Sequence, residues 1–463
     1  MKKITLRLLT ILFFLPLANT HGQNSITANV SVSNNIKKTI VRDYQNSSAI
    51  TYLETNNGNF FIYTDVSLAI NAWQIYPTYK ITDFVIDNDS VFFCGISNST
   101  NGFFGFFSIN TFFSTGIYYV ESGTPNTTMG NVISLGHIVT YSDETGKRHM
   151  VAVGETAQNL SCIVDMCHNP ALGGWEYNTG VLQQQYHETI NDLALTDNFI
   201  VTLGLFDIGN GNNEIMLRSY NKNAVLHPNT NREDWPYEFK DTLIVSEFIP
   251  NQLAIEHATM DYVTIAAYWR YADTTDQNQR VLLPQGTHLG LYQISDNRVS
   301  LITHINSFLT YHPFIQGGWN IKEFSKLHPQ SQSFELLHDV ELGSNGIQSV
   351  VYEIPLSMLL NRAPIQCRTT TSTNYNSISR FGNNNWYIMT GYDKQDNTKL
   401  VFNASLCSNN DCLDSFNLST TLMPMRGLDY PFPLLKTFGI EDFFAQKEAE
   451  QMKADFLNID CTR

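Results

Sequence analysis

Residues 81–109 read ITDFVIDND (81–89), SVFFCG (90–95), the polar turn ISNSTN (96–101) and GFFGFFSI (102–109). Short runs rich in Val, Ile and Phe, bounded by Asp, Asn and Gly, carry the signature of β-strands and lack the 3.6-residue period of a helix. Such side chains suit a pleated, half-buried surface. In the first run Ile81, Asp83 and Val85 share one face, and Thr82, Phe84 and Ile86 the other. Apolar groups on both faces imply a sheet packed between two others.

The outline recurs. Ile81 to Gly95 spans 14 positions, as do Ile190 to Gly204 and Leu253 to Ala267; Ile50 to Thr64 keeps the spacing without the glycine. Looser copies begin at Ile133, Ile321 and Ile378. A repeat of this size signals a propeller, solenoid or array, and stacked sheets arranged radially leave only short edges. The expected fold is therefore an all-β β-propeller with units starting at Ile50, Ile81, Ile133, Ile190, Leu253, Ile321 and Ile378. That gives seven blades. Six, with Ile50 merely completing the last, is the alternative count. The first unit is too short for four strands, so the segment after Asp411 is expected to return and complete it.

Residues 1–22 read as a bacterial-type signal peptide. Lys2, Lys3 and Arg7 precede the apolar core LLTILFFLPLA (8–18), which is too short to span a bilayer, and small residues follow. The boundaries are then 1–22 signal peptide, 23–45 N-terminal linker or outer strand, 46–430 propeller, and 431–463 a C-terminal extension. The mature chain is expected to be periplasmic or secreted, with no membrane span. Without the signal, 25 basic residues face 43 acidic ones, a balance that argues against nucleic acid as a partner. Within the extension, IEDFFAQKEAEQMKADFLNI (440–459) has the apolar stripe of an amphipathic helix. It docks on the propeller or serves an envelope assembly by filling a partner's groove.

In an oxidising compartment local disulfides are the favoured use of Cys162 with Cys167 and of Cys407 with Cys412, leaving Cys367 and Cys461 as a long-range pair and Cys94 as a buried thiol. Zinc is disfavoured, since only His168 adjoins either C-x4-C pair. Asp207–Glu214 (DIGNGNNE) clusters oxygens in a way that leaves a structural calcium ion as the one cofactor to consider. The run lacks EF-hand spacing, and a plain hairpin is preferred. No other metal or cofactor is expected.

No catalytic signature is present: there is no G-x-S-x-G and no P-loop, and His187-Glu188 is followed by Asn191 where a zinc protease needs its second His. One constellation stands out. If the first strand of each blade lines a central channel, the position two after each unit start is Tyr52, Asp83, Leu135, Asp192, Ile255, Glu323 and Arg380, with Glu256 one residue further on. These carboxylates could hold a cation or a basic ligand group. Crowding would also raise their pKa values, as general acid catalysis requires. The competing reading, which is favoured, has each acid accept backbone N–H groups of the neighbouring blade. Trp175 and Trp235, in the polar stretches GGWEYN and REDWPYE, are candidate ligand platforms. The chain thus reads as a module binding a glycan or protein ligand rather than as an enzyme. The alternative is a glycan-active hydrolase or lyase using the channel-mouth carboxylates.

Overall fold

The computed structural model describes residues 25–406, apart from 33–34, 46–47, 57, 66–69, 76–78, 98–100, 110–113, 120–131, 170–173, 182–187, 210–211, 226–236, 246–247, 272–284, 296–298, 310–318, 342–346, 361–365, 371–372 and 382–385, together with residues 434–437. These residues form an all-β, propeller-like fold. Seven antiparallel sheets follow one another along the chain. Their first strands are Ile36–Tyr44, Tyr79–Asp87, Val132–Ser142, Glu188–Leu195, Phe248–Thr259, Trp319–Phe324 and Thr373–Phe381. Each first strand leads a meander that steps outward one strand at a time.

Period-2 alternation explains why the sheets stack. In the second strand of sheet two, Ser90–Ser97, Val91 and Phe93 point into a core shared with Ile50, Tyr52 and Phe61 of sheet one. Phe92 and Cys94 point the other way, against Leu135, Met150 and Val164 of sheet three. The same arrangement continues from sheet three to four, four to five, five to six and six to seven. A seventh cluster joins Phe381, Ile388 and Phe402 of the last sheet to Val41, Leu53 and Ile62 of the first.

The first sheet departs from expectation. Its leading strand is Ile36–Tyr44, and Ile50 lies on the second strand, Ser48–Thr55. It is complete without help from the C-terminal segment. The last sheet is the one completed from afar, because Ser25–Ser31 pairs antiparallel with Lys399–Leu406 as its outermost strand. Residues 23–45 therefore supply two strands, one to each of these sheets. Leu434–Thr437 adds a fifth strand to sheet four, along Tyr237–Val245. The expected helix at 440–459 lies outside the described residues, as does the segment after Asp411 up to residue 433.

All seven leading strands carry a β-bulge near their start. The extra residues are Lys37, Thr82, Gly136, Asn191, Asn251, Lys322 and Asn376. A bulge leaves one residue unpaired and re-aims the next side chain along the strand. It also accounts for the recurring glycine. Gly95, Gly154, Gly204 and Gly391 sit opposite the residue before the bulge. There the strand's carbonyl bends inward, so a Cβ on Gly154 would lie 2.0 Å from Ser134 O, and one on Gly391 2.1 Å from Asn374 O. Gly391→Ala is accordingly expected to cost about 3 kcal/mol in a denaturant titration, at the upper end for overpacking because the obstacle is backbone. An unchanged midpoint would show that the strand can shift aside.

The cysteines correct one expectation. Cys162 and Cys167 lie on one strand, Ser161–Asn169, an odd number of residues apart and hence on opposite faces. Cys162 joins the core between sheets two and three. Cys167 faces His149, on the side toward sheet four. No disulfide can join them. Cys367 lies on the strand Gln366–Thr370, while Cys407, Cys412 and Cys461 fall outside the described residues. The stretch Asp207–Glu214 closes as a hairpin, pairing Asp207 with Asn213 and Gly209 with Asn212. Among the described residues no helix is long and apolar enough to cross a membrane.

Candidate functional site

The residues directly after the seven bulges are Lys38, Asp83, His137, Asp192, Gln252, Glu323 and Ser377. Each reaches toward the following sheet. Asp83 Oδ2 accepts the N–H of Ile138 (3.2 Å), Asp192 Oδ2 that of Ile255 (2.9 Å), and Gln252 Oε1 that of Ile321 (2.7 Å). Glu323 Oε2 accepts the N–H of Ile378 (3.2 Å), and Ser377 Oγ that of Val41 (2.9 Å). Lys38 Nζ donates to Thr82 O (2.7 Å), and His137 Nδ1 lies 3.3 Å from Asp192 Oδ1. One bulge per leading strand thus aims one polar side chain across each seam. Asp83, Asp192 and Glu323 accept backbone N–H groups from the neighbouring sheet, the role favoured from the sequence.

Inside this ring Arg42 bridges two acids. Its Nη2 donates to Asp83 Oδ1 (2.5 Å) and its Nη1 to Glu323, which belong to the second and sixth sheets. Nε donates to Phe84 O (3.0 Å), and the guanidinium lies 5.6 Å from the Phe84 ring centre. Burial alone would favour the neutral base, but the two carboxylates outweigh it and hold Arg42 more firmly charged than usual. For Asp83 burial pushes the pKa up, while Arg42, His137 and the Ile138 N–H more than offset it, leaving it below the ordinary value. For Glu323 burial dominates over Arg42 and the pKa is raised. One guanidinium shared by two acids therefore favours Asp83.

Around the ring lies a cavity of about 750 Å³. Asp83, Asp192, Glu256, Glu323 and Arg380 all line it. The structure thus brings together five residues singled out from the sequence. Arg380 Nη2 donates to Asp43 Oδ2 (2.9 Å), and Lys326 Nζ stands 3.8 Å from Asp43 Oδ1. Glu256 differs from the other acids. Its Oε1 accepts the N–H of His257 (2.9 Å), and among the described residues it has no ion pair. Burial pushes its pKa up to about 7, against the opposing charge of Lys326 and with a further contribution from Asp192. Burial also raises Asp192, only partly relieved by His137. Among the described residues Glu256 therefore lacks an ion-pair partner, while Asp192 has the His137 imidazole beside it.

Other expected positions fall elsewhere. Tyr52 and Leu135 are buried between sheets, where the Tyr52 hydroxyl accepts the Ile81 N–H (3.2 Å). Trp175 belongs to the outermost strand of the third sheet, Gly174–Val181, opposite His168 and away from the leading strands. Trp235 lies outside the described residues. Sequence reading missed Arg42, Asp43, His137 and Lys326. The first two were hidden by placing the first leading strand at Ile50. His137 takes the place given to Leu135 once the bulge at Gly136 is counted.

No family model and no curated protein matches the chain. Among solved structures it is similar to the β-propeller domain of the Trilobed protease from Pyrococcus furiosus, at 7% identity and a TM-score of 0.43, covering 81% of this chain and 100% of that one. It is similar also to a polysaccharide lyase of family PL25, an ulvan lyase, at 8% identity and a TM-score of 0.45, covering 81% and 95%. The WD40 domain of SCAP from fission yeast is a third, at 8% identity and a TM-score of 0.41, covering 80% and 83%.

Proposed function

We propose that this protein is an exported, seven-bladed β-propeller acting as a binding module, which takes a basic group of its ligand into the acidic cavity at the channel mouth. Seven sheets, with a core shared between the last and the first, support the blade count. The signal-like segment 1–22 supports export. The carrying observation for the ligand is Glu256, a half-buried carboxylate without an ion pair among the described residues, set in the same cavity as Asp192. A bound ammonium group would supply the missing counter-charge. Of the other acids, Asp83 and Glu323 hold Arg42, Asp87 pairs with Arg148, and Asp43 is engaged by Arg380 and Lys326.

The purified protein is expected to bind amine-bearing oligomers, such as chitosan oligosaccharides or oligolysine, and to ignore N-acetylated chitosan. Glu256→Gln should weaken binding about thirtyfold or more, since losing one partner of a desolvated charge pair costs about 2 kcal/mol or more. Because a cation prefers ionised Glu256, wild-type affinity for oligolysine, whose amines stay charged across this range, should rise as pH increases through about 7, and the variant should show a flatter profile over that range. Calorimetric titrations at pH 6 and pH 8 measure both. Equal binding of acetylated and free-amine oligomers would overturn the assignment. Cleavage of the glycan would replace it with the enzymatic alternative, in which Glu256 acts as the acid.

A further inference from the structure

A second cluster lies in the third sheet, away from the channel. His149, on the strand Arg148–Thr156, is the cross-strand partner of Cys167, and Asp165 stands two residues before Cys167 on the same face. The His149 Nδ1 is 3.0 Å from both carboxylate oxygens of Asp165. Its Nε2 is 3.8 Å from Cys167 Sγ and 3.5 Å from Asp143 Oδ2. Tyr141 stacks on the imidazole at 4.7 Å with planes 4° apart, and Lys222 Nζ stands 5.3 Å from the Tyr141 ring centre. Thiol, imidazole and carboxylate follow the order in which a base activates a nucleophile and a third group orients the base.

We propose that Cys167, His149 and Asp165 form a reactive-thiol site for small hydroperoxides. Asp165 positions the ring with Nδ1–H toward its carboxylate, so that Nε2 faces the sulfur. Nε2 takes the thiol proton, and the thiolate attacks one oxygen of the peroxide. An S–O bond forms as the O–O bond breaks, and the leaving hydroxide or alkoxide takes the imidazolium proton to become water or an alcohol. The sulfur is oxidised from thiol to sulfenic acid, and the peroxide is reduced. Asp165 and Asp143 stabilise the transient imidazolium; both hydrogen bonds favour protonated His149 and outweigh the opposing effect of burial. The site sits beside the turn that follows Ser142, where the Asp143 side chain is one-fifth exposed. Cys167 itself is 9% exposed, which restricts access to small molecules.

Two other cysteines serve as internal controls in the same molecule. Cys162 is fully buried on the opposite face of the same strand, and burial pushes its thiol up to about 12. Cys94 is likewise buried, and its thiol is raised further. Neither faces an imidazole among the described residues.

The test exposes the reduced, full-length protein to stoichiometric hydrogen peroxide, traps sulfenic acid with dimedone, and quantifies labelled peptides by mass spectrometry. Cys167 is expected to label at least about tenfold faster than Cys162 and Cys94, a comparison needing no variant. His149→Gln should slow Cys167 about tenfold. Asp165→Asn should slow it severalfold, and Asp165→Glu should restore most of the rate, a rescue that a purely structural carboxylate would not give. Melting temperatures of the variants identify any loss of folding. Equal labelling of the three cysteines in the native protein would overturn the proposal, as would a Cys167 rate unchanged in a folded His149→Gln variant.

Discussion

Replacing Arg42 with Met is expected to lower the stability of the protein by about 3 kcal/mol, the lower end of the range for removing one partner of a buried ion pair, because the Arg42 and Glu323 side chains keep 16% and 21% exposure. The loss falls on two sheets at once. Asp83 and Glu323 would face each other's charge without the guanidinium that both now contact. The pH dependence contributed by Asp83 should change sign as well. In the wild type, Asp83 has a folded-state pKa below its ordinary 3.8, so its contribution is fully present above that pH and is lost as pH falls through the folded value. Without Arg42, burial would raise both carboxyls. A group whose folded pKa is raised destabilises as pH climbs past its unfolded value. The variant should therefore gain stability on acidification from pH 7 toward pH 5 and recover part of its deficit. Melting temperatures at the two pH values check this, and a uniform deficit would show that Arg42 acts through packing instead.

Breaking the pair Arg218–Glu188 should cost at least as much, for a different reason. Both side chains are completely buried, with Arg218 Nε and Nη2 at 3.0 and 2.6 Å from Glu188 Oε2. Arg218→Met would strand a carboxylate in a dry interior, at about 3–5 kcal/mol. The double variant Arg218→Met, Glu188→Leu should regain most of this, because buried ion pairs often do no better than apolar replacements of similar volume. A double-mutant cycle in denaturant gives the coupling. Additive losses would mean that each residue acts independently.

The legibility of this fold in its sequence comes from the bulges. The interval from Ile81 to Gly95 or Ile190 to Gly204 spans one hairpin, from the residue before the bulge to the glycine paired with it, and steric need keeps the glycine in place. Where the sequence breaks that rule, the pattern misleads. The first leading strand, IKKTIVRDY, carries Lys37, Lys38 and Arg42 and meets Thr55 rather than a glycine, so its charge conceals it. Asp83, Asp192 and Glu323 are visible because each stands two after its unit start, just past the bulge. Arg42 is not, because it projects from later in its strand and reaches back to two of them. The cysteine pairing fails on the period-2 rule itself, since a separation of five places side chains on opposite faces.

The strand Ser25–Ser31 is the earliest described part of the chain, yet its sheet partner among the described residues is Lys399–Leu406. During synthesis it precedes every other described strand and must wait for nearly the whole polypeptide before finding its place. Until then its hydrogen-bonding groups are open to wrong neighbours, including the corresponding edge of a second molecule. The slowest step of maturation should accordingly be this final zipping, and a truncation at either end should strand its counterpart as a sticky edge.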